Sequence, residues 1–256
     1  MSRKVALFAM SLPVALLLSA GFVLVADGRK GDPTPSDAGG RTLAKTPAAP
    51  IPFEEADLFI EINATDGDAG LQLNLDGEKW DNIQIINPRG ETILDVSGSS
   101  RLKGYGLTGL TFESAEPPFT EFPFSKFKAR FPVGKYRFKG TTVSGRELVG
   151  SDTLTHLIPE QPVIVSPAED AEVPTQGLTV EWKTVTKPKG IKIVHYQVIV
   201  TQEKPKRVLD LTMPPNATRV SIPAEFLLPS KEYALEILAR EASGNQTITE
   251  IPFTTK

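Results

Sequence analysis

Oxygen-bearing side chains crowd one stretch of the chain, Glu61-Ile62-Asn63-Ala64-Thr65-Asp66-Gly67-Asp68-Ala69-Gly70. Hard cations take several oxygen ligands from a tightly turning loop, and Asp66, Asp68, Asn63 and Glu61 offer carboxylates and an amide carbonyl of the kind calcium prefers. The match to an EF-hand is partial, because the twelfth position counted from Asp66 is Gly77 and Glu78 falls one residue late. The same letters also spell a hairpin connection, since Asp-Gly favours a tight turn between strands. Calcium is the one cofactor the sequence admits.

A second kind of chemistry is contact through aromatic rings. Trp80 lies in the polar run Glu78-Lys79-Trp80-Asp81, where an exposed indole could stack on a polysaccharide, although it also suits a core position at the start of the Ile83 strand. Phe112, Phe119, Phe122, Phe124, Phe127 and Phe131 fall within twenty residues. Phe119 and Phe122 are the candidates for a hydrophobic docking surface. The competing reading is a crossover whose rings plug the open end of a core, and it is preferred because large exposed apolar patches are uncommon on soluble domains. Ser125 is the expected N-cap of a short helix that sets Phe127 and Phe131 one turn apart.

Catalytic constellations are missing. The chain has two histidines, His156 and His195, and neither stands in a recognisable nucleophile, zinc, Walker or dinucleotide motif. Neighbouring carboxylates such as Asp66 and Asp68, or Glu54 and Glu55, share a turn and do not face each other across the cleft that glycoside hydrolysis needs. The expectation is a protein that is not an enzyme.

The elements that position these residues are strands. Leu58, Ile60 and Ile62 alternate with Phe59, Glu61 and Asn63; Leu71, Leu73 and Leu75 alternate with polar residues; and Ile83–Ile86 and Ile93–Val96 flank the turn Asn87-Pro88-Arg89-Gly90. Period-two alternation of this kind marks half-buried strands. Pro132-Val133-Gly134 leads into Tyr136 and Phe138, and Ser144-Gly145 turns the chain into a last strand. Residues 51–158 therefore read as an immunoglobulin-like β-sandwich of unassigned family.

The last hundred residues are more specific. Leu178, Val180 and Trp182 share one strand face; Val194, Tyr196, Val198 and Val200 share another; and Leu227, Pro229 and Tyr233 open a strand carrying Leu235, Ile237 and Ala239. A tyrosine at the head of such a strand can turn its hydroxyl back onto the preceding loop, the tyrosine corner of β-sandwiches. Pro252 is expected to demote the closing strand, Thr247–Thr254, to an edge. With Trp182, Tyr196 and Tyr233 at these places, residues of about 160–256 resemble a fibronectin type III domain. The resemblance implies a seven-stranded sandwich used as spacer, adhesion surface or accessory module, and it names no ligand. The fold class is all-β, two tandem sandwiches at 51–158 and 159–256.

Arg3 and Lys4 precede an apolar run from Val5 to Ala26, the arrangement of an export signal. A cleaved leader has an apolar core of about 7–15 residues and a bilayer-spanning helix about 20, so residues 1–26 read as a signal peptide or a single-pass anchor. Leucine stands at −3 of cleavage after either Ala20 or Ala26. Residues 27–50, rich in Gly, Pro, Ser, Thr and Ala, read as a disordered tether. A net charge of −3 argues against nucleic acid, and the absence of cysteine removes disulfides, thiol chemistry and lipidation at cysteine.

Two functions follow from different classes. One is a non-catalytic exported protein, periplasmic, extracellular or anchored facing outward, whose sandwiches serve a protein partner or adhesion. The other is a polysaccharide-binding accessory protein using Trp80 and the Asp66 loop, calcium-assisted. Membrane contact is expected only through the N-terminal segment if it stays uncleaved. Asn63, Asn216 and Asn245 begin N-x-T tripeptides, and the last two lie in expected turns open to glycosylation in a secretory pathway.

Overall fold

The computed structural model describes residues 48–256; the leader or anchor and nearly all of the tether lie outside the described residues. Among the described residues no helix is long and apolar enough to cross a membrane. Residues Pro50–Lys256 form one compact unit holding two sandwiches, each with its own hydrophobic core.

The first sandwich runs through β1 (Ile51–Pro52), β2 (Glu55–Asn63), β3 (Asp68–Ile86), β4 (Thr92–Ser97), β5 (Leu107–Glu113), α1 (Phe124–Arg130), β6 (Gly134–Thr142) and β7 (Glu147–Leu154). Nineteen-residue β3 changes neighbours along its length: its first half pairs with β2 and β5, its second with β4 and β6. The register slips between Asp76 and Trp80 and again before Asn82, so the strand changes partners there. Leu71, Leu73 and Leu75 before the slip, and Ile83 and Ile85 after it, all reach one core. The entering chain makes the same transfer at the same level. Phe53 donates its N–H to Val149 of β7, and Glu54 donates to Asp76 of β3.

At the opposite end, the segment between β5 and β6 closes the core. Phe119, Phe124, Phe127 and Phe131 form a chain of rings with centroids 4.9 to 5.8 Å apart, and Phe127 is buried. The helix begins at Phe124 with Pro123 at its N-cap, not with Ser125 as the sequence suggested. Pro123 has φ −53° and no N–H to satisfy, which suits a helix entry without a side-chain cap.

The second sandwich comprises β8 (Val163–Ser166), β9 (Ala171–Val173), β10 (Thr179–Lys183), β11 (Ile193–Gln202), β12 (Arg207–Met213), β13 (Arg219–Ser221), β14 (Glu232–Glu241) and β15 (Gln246–Thr255). One sheet has the order β13-β10-β8; the other contains β15-β14-β11-β12, with short β9 added in parallel beside β15. Trp182 and Tyr196 cross the core with centroids 5.6 Å apart.

Both sandwiches carry a tyrosine that ties its hydroxyl to the chain just before its strand. The Leu228 N–H donates to the Tyr233 hydroxyl at 2.7 Å, and the Tyr136 hydroxyl donates to the Pro132 carbonyl at 3.1 Å. The first of these is legible in the sequence; its counterpart Tyr136 stands there only as an aromatic of the strand. Replacing Tyr233 by Phe keeps the ring and leaves the Leu228 N–H without its acceptor. The expected loss is about 1–2 kcal/mol, read by urea denaturation.

Candidate functional site at the seam between the sandwiches

The two sandwiches are joined through main chain. β15 is not an edge: beyond its nine pairs with β14 it pairs in parallel with β2, Gln246 opposite Glu61, Thr247 opposite Ile62 and Ile248 opposite Asn63, and later with β9. Pro252 is tolerated because it falls between these two partner segments. The connecting chain lies along the same strand, where Thr247 and Thr249 donate their hydroxyls to the carbonyls of Pro159 and Pro162 at 2.7 and 2.8 Å.

Asn245, in the β14–β15 turn, is 0% exposed and pins three parts of the chain. Its Oδ1 accepts from the Ile60 N–H at 2.8 Å, and its Nδ2 donates to the Thr155 hydroxyl and carbonyl and to the Leu157 carbonyl, at 2.9, 3.2 and 3.1 Å. Thr155 and Ser243 hydroxyls lie 2.7 Å apart, and Ser243 donates to Glu241. Such a side chain offers no amide to a glycosyl donor, so the N-x-T tripeptide at Asn245 has a structural use instead. Sequence reasoning missed it because its partners are remote.

The four residues that the sequence offers as calcium ligands separate into two groups with different work. Asn63 Oδ1 accepts from the Thr65 and Asp66 N–H groups at 3.0 and 3.1 Å, and its Nδ2 donates to the Asp66 carboxylate at 3.1 Å. Gly67 follows with φ +72°, the left-handed turn that the Asp-Gly pair favours. Thr65 then clips this turn to β15, accepting from the Glu250 N–H at 2.8 Å and donating to the Glu250 carbonyl at 3.1 Å. The loop holds the seam, and Asn63 and Asp66 are spent on the turn.

Glu61 and Asp68 face elsewhere. Glu61 is buried and accepts from the Gln246 side chain across the seam, while its carboxylate comes within 4.8 Å of those of Glu113 and Glu116. Glu116 lies over Gly70, where an added Cβ would stand 2.1 Å from its Oε1 and push the Glu116 carboxylate aside. Among the described residues this trio, with only Glu61 from the predicted set, is the carboxylate group close enough to share a cation. Without one, the cluster favours protons. Burial raises Glu61 to about 7 and Asp68 to about 6, and burial and then Glu113 raise Glu116 strongly. Further along the same sheet, burial and then Glu250 push Glu236 to about 8.

Beside Asn245 runs an open groove of about 380 Å³ lined by Asp57, Phe59, Asp152, Arg240, Ser243 and Gly244 among others. Arg240 spans it, 3.4 Å from the Asp57 carboxylate and with its guanidinium 4.3 Å from the Phe59 ring centroid. Asp152 accepts from the Leu58 N–H at 2.8 Å. The polar groups here are largely occupied with one another, an arrangement that fastens the sandwiches together.

The ring candidates are accounted for inside the first sandwich. Trp80 is 1% exposed, so the expected exposed indole is corrected: the register slip in β3 turns it into the core despite its charged neighbours. Phe119 and Phe122 are half-buried and pack against that same core, with Arg130 set 5.4 Å over the Phe122 ring.

No protein-family model and no curated protein matches the chain. Among solved structures it is similar to a two-domain fibronectin type III segment of chicken tenascin, at 11% identity over 79% of this chain and 99% of that one, TM-score 0.29. It is also similar to the FN1–FN3 domains of chicken CNTN1, at 12% identity over 81% and 65%, TM-score 0.32. A third is a tetra-tandem repeat from the extending region of a large adhesion protein, at 9% identity over 79% and 50%, TM-score 0.28. What makes the C-terminal sandwich fibronectin type III-like is its own strand order, β13-β10-β8 against β15-β14-β11-β12, with Trp182, Tyr196 and Tyr233 in their places.

Proposed function

We propose that the chain is a non-catalytic exported module whose two sandwiches act as one stiff arm, built to hold a binding or structural surface for a protein partner at a fixed distance and angle. The observation that supports this most is the seam: strand pairing of β2 with β15, the Asn245 hydrogen bonds and the Thr65–Glu250 clip all restrain the same joint. A linker left free would let the sandwiches turn independently, the default for small polar interfaces within a chain. In the anchored form of this reading, residues 1–26 stay in the bilayer and the tether carries the arm outward; the apolar run Val5–Ala26 is long enough to span.

The test is rotational diffusion by NMR relaxation of the full chain in detergent micelles. Amide vectors of residues 51–158 and 159–256 should fit a single anisotropic tensor. Two tensors, with the second sandwich tumbling faster than the first, would refute the stiff arm. Affinity capture against envelope proteins and isolated polysaccharides, with and without calcium, tests the partner class. Capture of polysaccharide alone would overturn the protein-partner reading. With Trp80 in the core, the polysaccharide reading has lost the residue proposed to stack on sugar.

A further inference from the structure

The pole of the first sandwich farthest from the seam has an unusual surface. The connection from β4 to β5, residues 98–106, carries Tyr105 and Leu102, which are 77% and 46% exposed, between Arg101 and Lys103. Tyr105 is the one large aromatic among the described residues that stands out in solvent to this degree. The loop is nevertheless well ordered by its own bonds. Gly98 N–H donates to the Asp81 carbonyl and Gly104 N–H to the Asp81 carboxylate, at 2.8 and 2.9 Å, and the Tyr105 and Gly106 N–H groups donate to Leu102. Ser100, Gly104 and Gly106 take positive φ to make this shape. A loop that spends this much local bonding to hold a tyrosine and a leucine in water marks a contact surface.

Its position says what the contact is with. Trp80, in mid β3, is opposite both Leu107, which ends the loop, and Thr142, which opens the β6–β7 turn carrying exposed Val143. Ile51 pairs with Leu148, one residue into β7 from that turn's end, so the folded chain begins at this same pole. The seam and the second sandwich are at the other end, where β2 finishes. The described chain therefore enters the fold at the pole bearing Tyr105, Leu102 and Val143. Glu54, Glu55, Asp76, Glu78 and Glu147 also stand at this pole, on the strands and their joints, and Asp81 lies beneath the loop with its carboxylate accepting from Gly104, whereas the projecting residues 98–106 themselves are basic and apolar.

We infer that loop 98–106 rests on the bilayer surface, with Tyr105 and Leu102 dipping into the interface and Arg101 and Lys103 against anionic headgroups. This rests on the anchored form of the reading above. Residues 27–50 lie between the apolar run and this pole, and a chain of that length spans at most about 80–86 Å even when fully extended. The pole is thereby confined close to the membrane, at an effective concentration that makes even a weak interfacial contact well populated. Tyrosine and leucine flanked by lysine or arginine suit that interface, where the ring sits among headgroups and the cations meet lipid phosphate. The docked pole fixes one end of the stiff arm, so the second sandwich is aimed away from the membrane.

The probe is the full chain carrying Tyr105→Trp, reconstituted into vesicles of phosphatidylcholine and phosphatidylglycerol with a shallow spin-labelled quencher lipid. The signal of the parent chain, from core Trp80 and Trp182, is subtracted. The added indole should lose most of its emission, while an indole placed by Val208→Trp on β12 of the second sandwich should keep its own. Arg101→Glu with Lys103→Glu should restore emission at position 105 without changing vesicle flotation. Emission at 105 that is unquenched in floating vesicles overturns the docked loop and leaves the anchor standing. Failure of the parent chain to float overturns the anchor and the docked loop together.

Discussion

Asn245→Ala should destabilise the protein by about 3–4 kcal/mol and separate the unfolding of the two sandwiches. The substitution leaves the Ile60 N–H without an acceptor and the Thr155 and Leu157 carbonyls without their donor, in a place that water does not reach. A buried unsatisfied group costs about 1–3 kcal/mol, and here several are left at one joint. The protein supplies its own reporters, because Trp80 lies in the first core and Trp182 in the second. Single Trp→Phe variants make each sandwich visible alone in urea, and the two curves should coincide in the parent and part in Asn245→Ala. Coincident curves at unchanged midpoint would show that Asn245 carries none of the coupling. Asn245→Asp adds a signature that simple loss of packing lacks. A carboxylate cannot donate to Thr155 and Leu157, so this variant should be weak at pH 7 and recover as acidification restores a donor.

Stability should rise on acidification from about pH 8 towards pH 5, and Glu61→Gln should remove a large part of that slope. In the unfolded chain Asp68 and Glu61 ionise near 3.8 and 4.5, whereas in the folded protein they hold protons to about 6 and about 7. Glu236 behaves alike, from 4.5 to about 8. Between each pair of values the folded state binds more protons than the unfolded state, so the free energy of unfolding falls as pH rises. Above the folded values the cost of burying each charge is present in full. For Glu61 it is on the order of 3 kcal/mol at pH 8, and Glu61→Gln should return most of it while keeping an amide partner for Gln246. Chemical denaturation at a series of pH values reads both slopes. A parent that is less stable at pH 5 than at pH 8 would contradict the burial of these carboxyls.

The sequence announced features whose causes are local and hid those whose causes are remote. Tyr233 was legible because the N–H it accepts belongs to Leu228, five residues away. Trp182 and the alternating strands around it were legible because one face of each strand must be apolar. Asn245 was not, since its partners stand 185, 90 and 88 residues away and Asn-Gln-Thr after Ser-Gly looks like any polar turn. Trp80 was ambiguous for another reason. The register slip in β3 changes which face each residue takes, so polar neighbours on either side give no guide to its burial. The acidic stretch shows the right residue types, but Glu113 and Glu116 arrive from a distant strand and crossover to complete the cluster. A linear spacing rule cannot find a group assembled in that way.

The strand pairing across the seam also bears on how the molecule carries load. Tension applied at Ile51 and Lys256 pulls β2 and β15 along their own lengths in opposite directions, with nine pairs tying β2 to β3, nine tying β15 to β14, and three tying β2 directly to β15. Rows of hydrogen bonds lying across the pull must shear together and cannot open one at a time from an end. Resistance to forced extension is set by the rate of that single rupture and not by equilibrium stability. An arm made in this way transmits a pull between Ile51 and Lys256 before that part of the chain begins to lengthen.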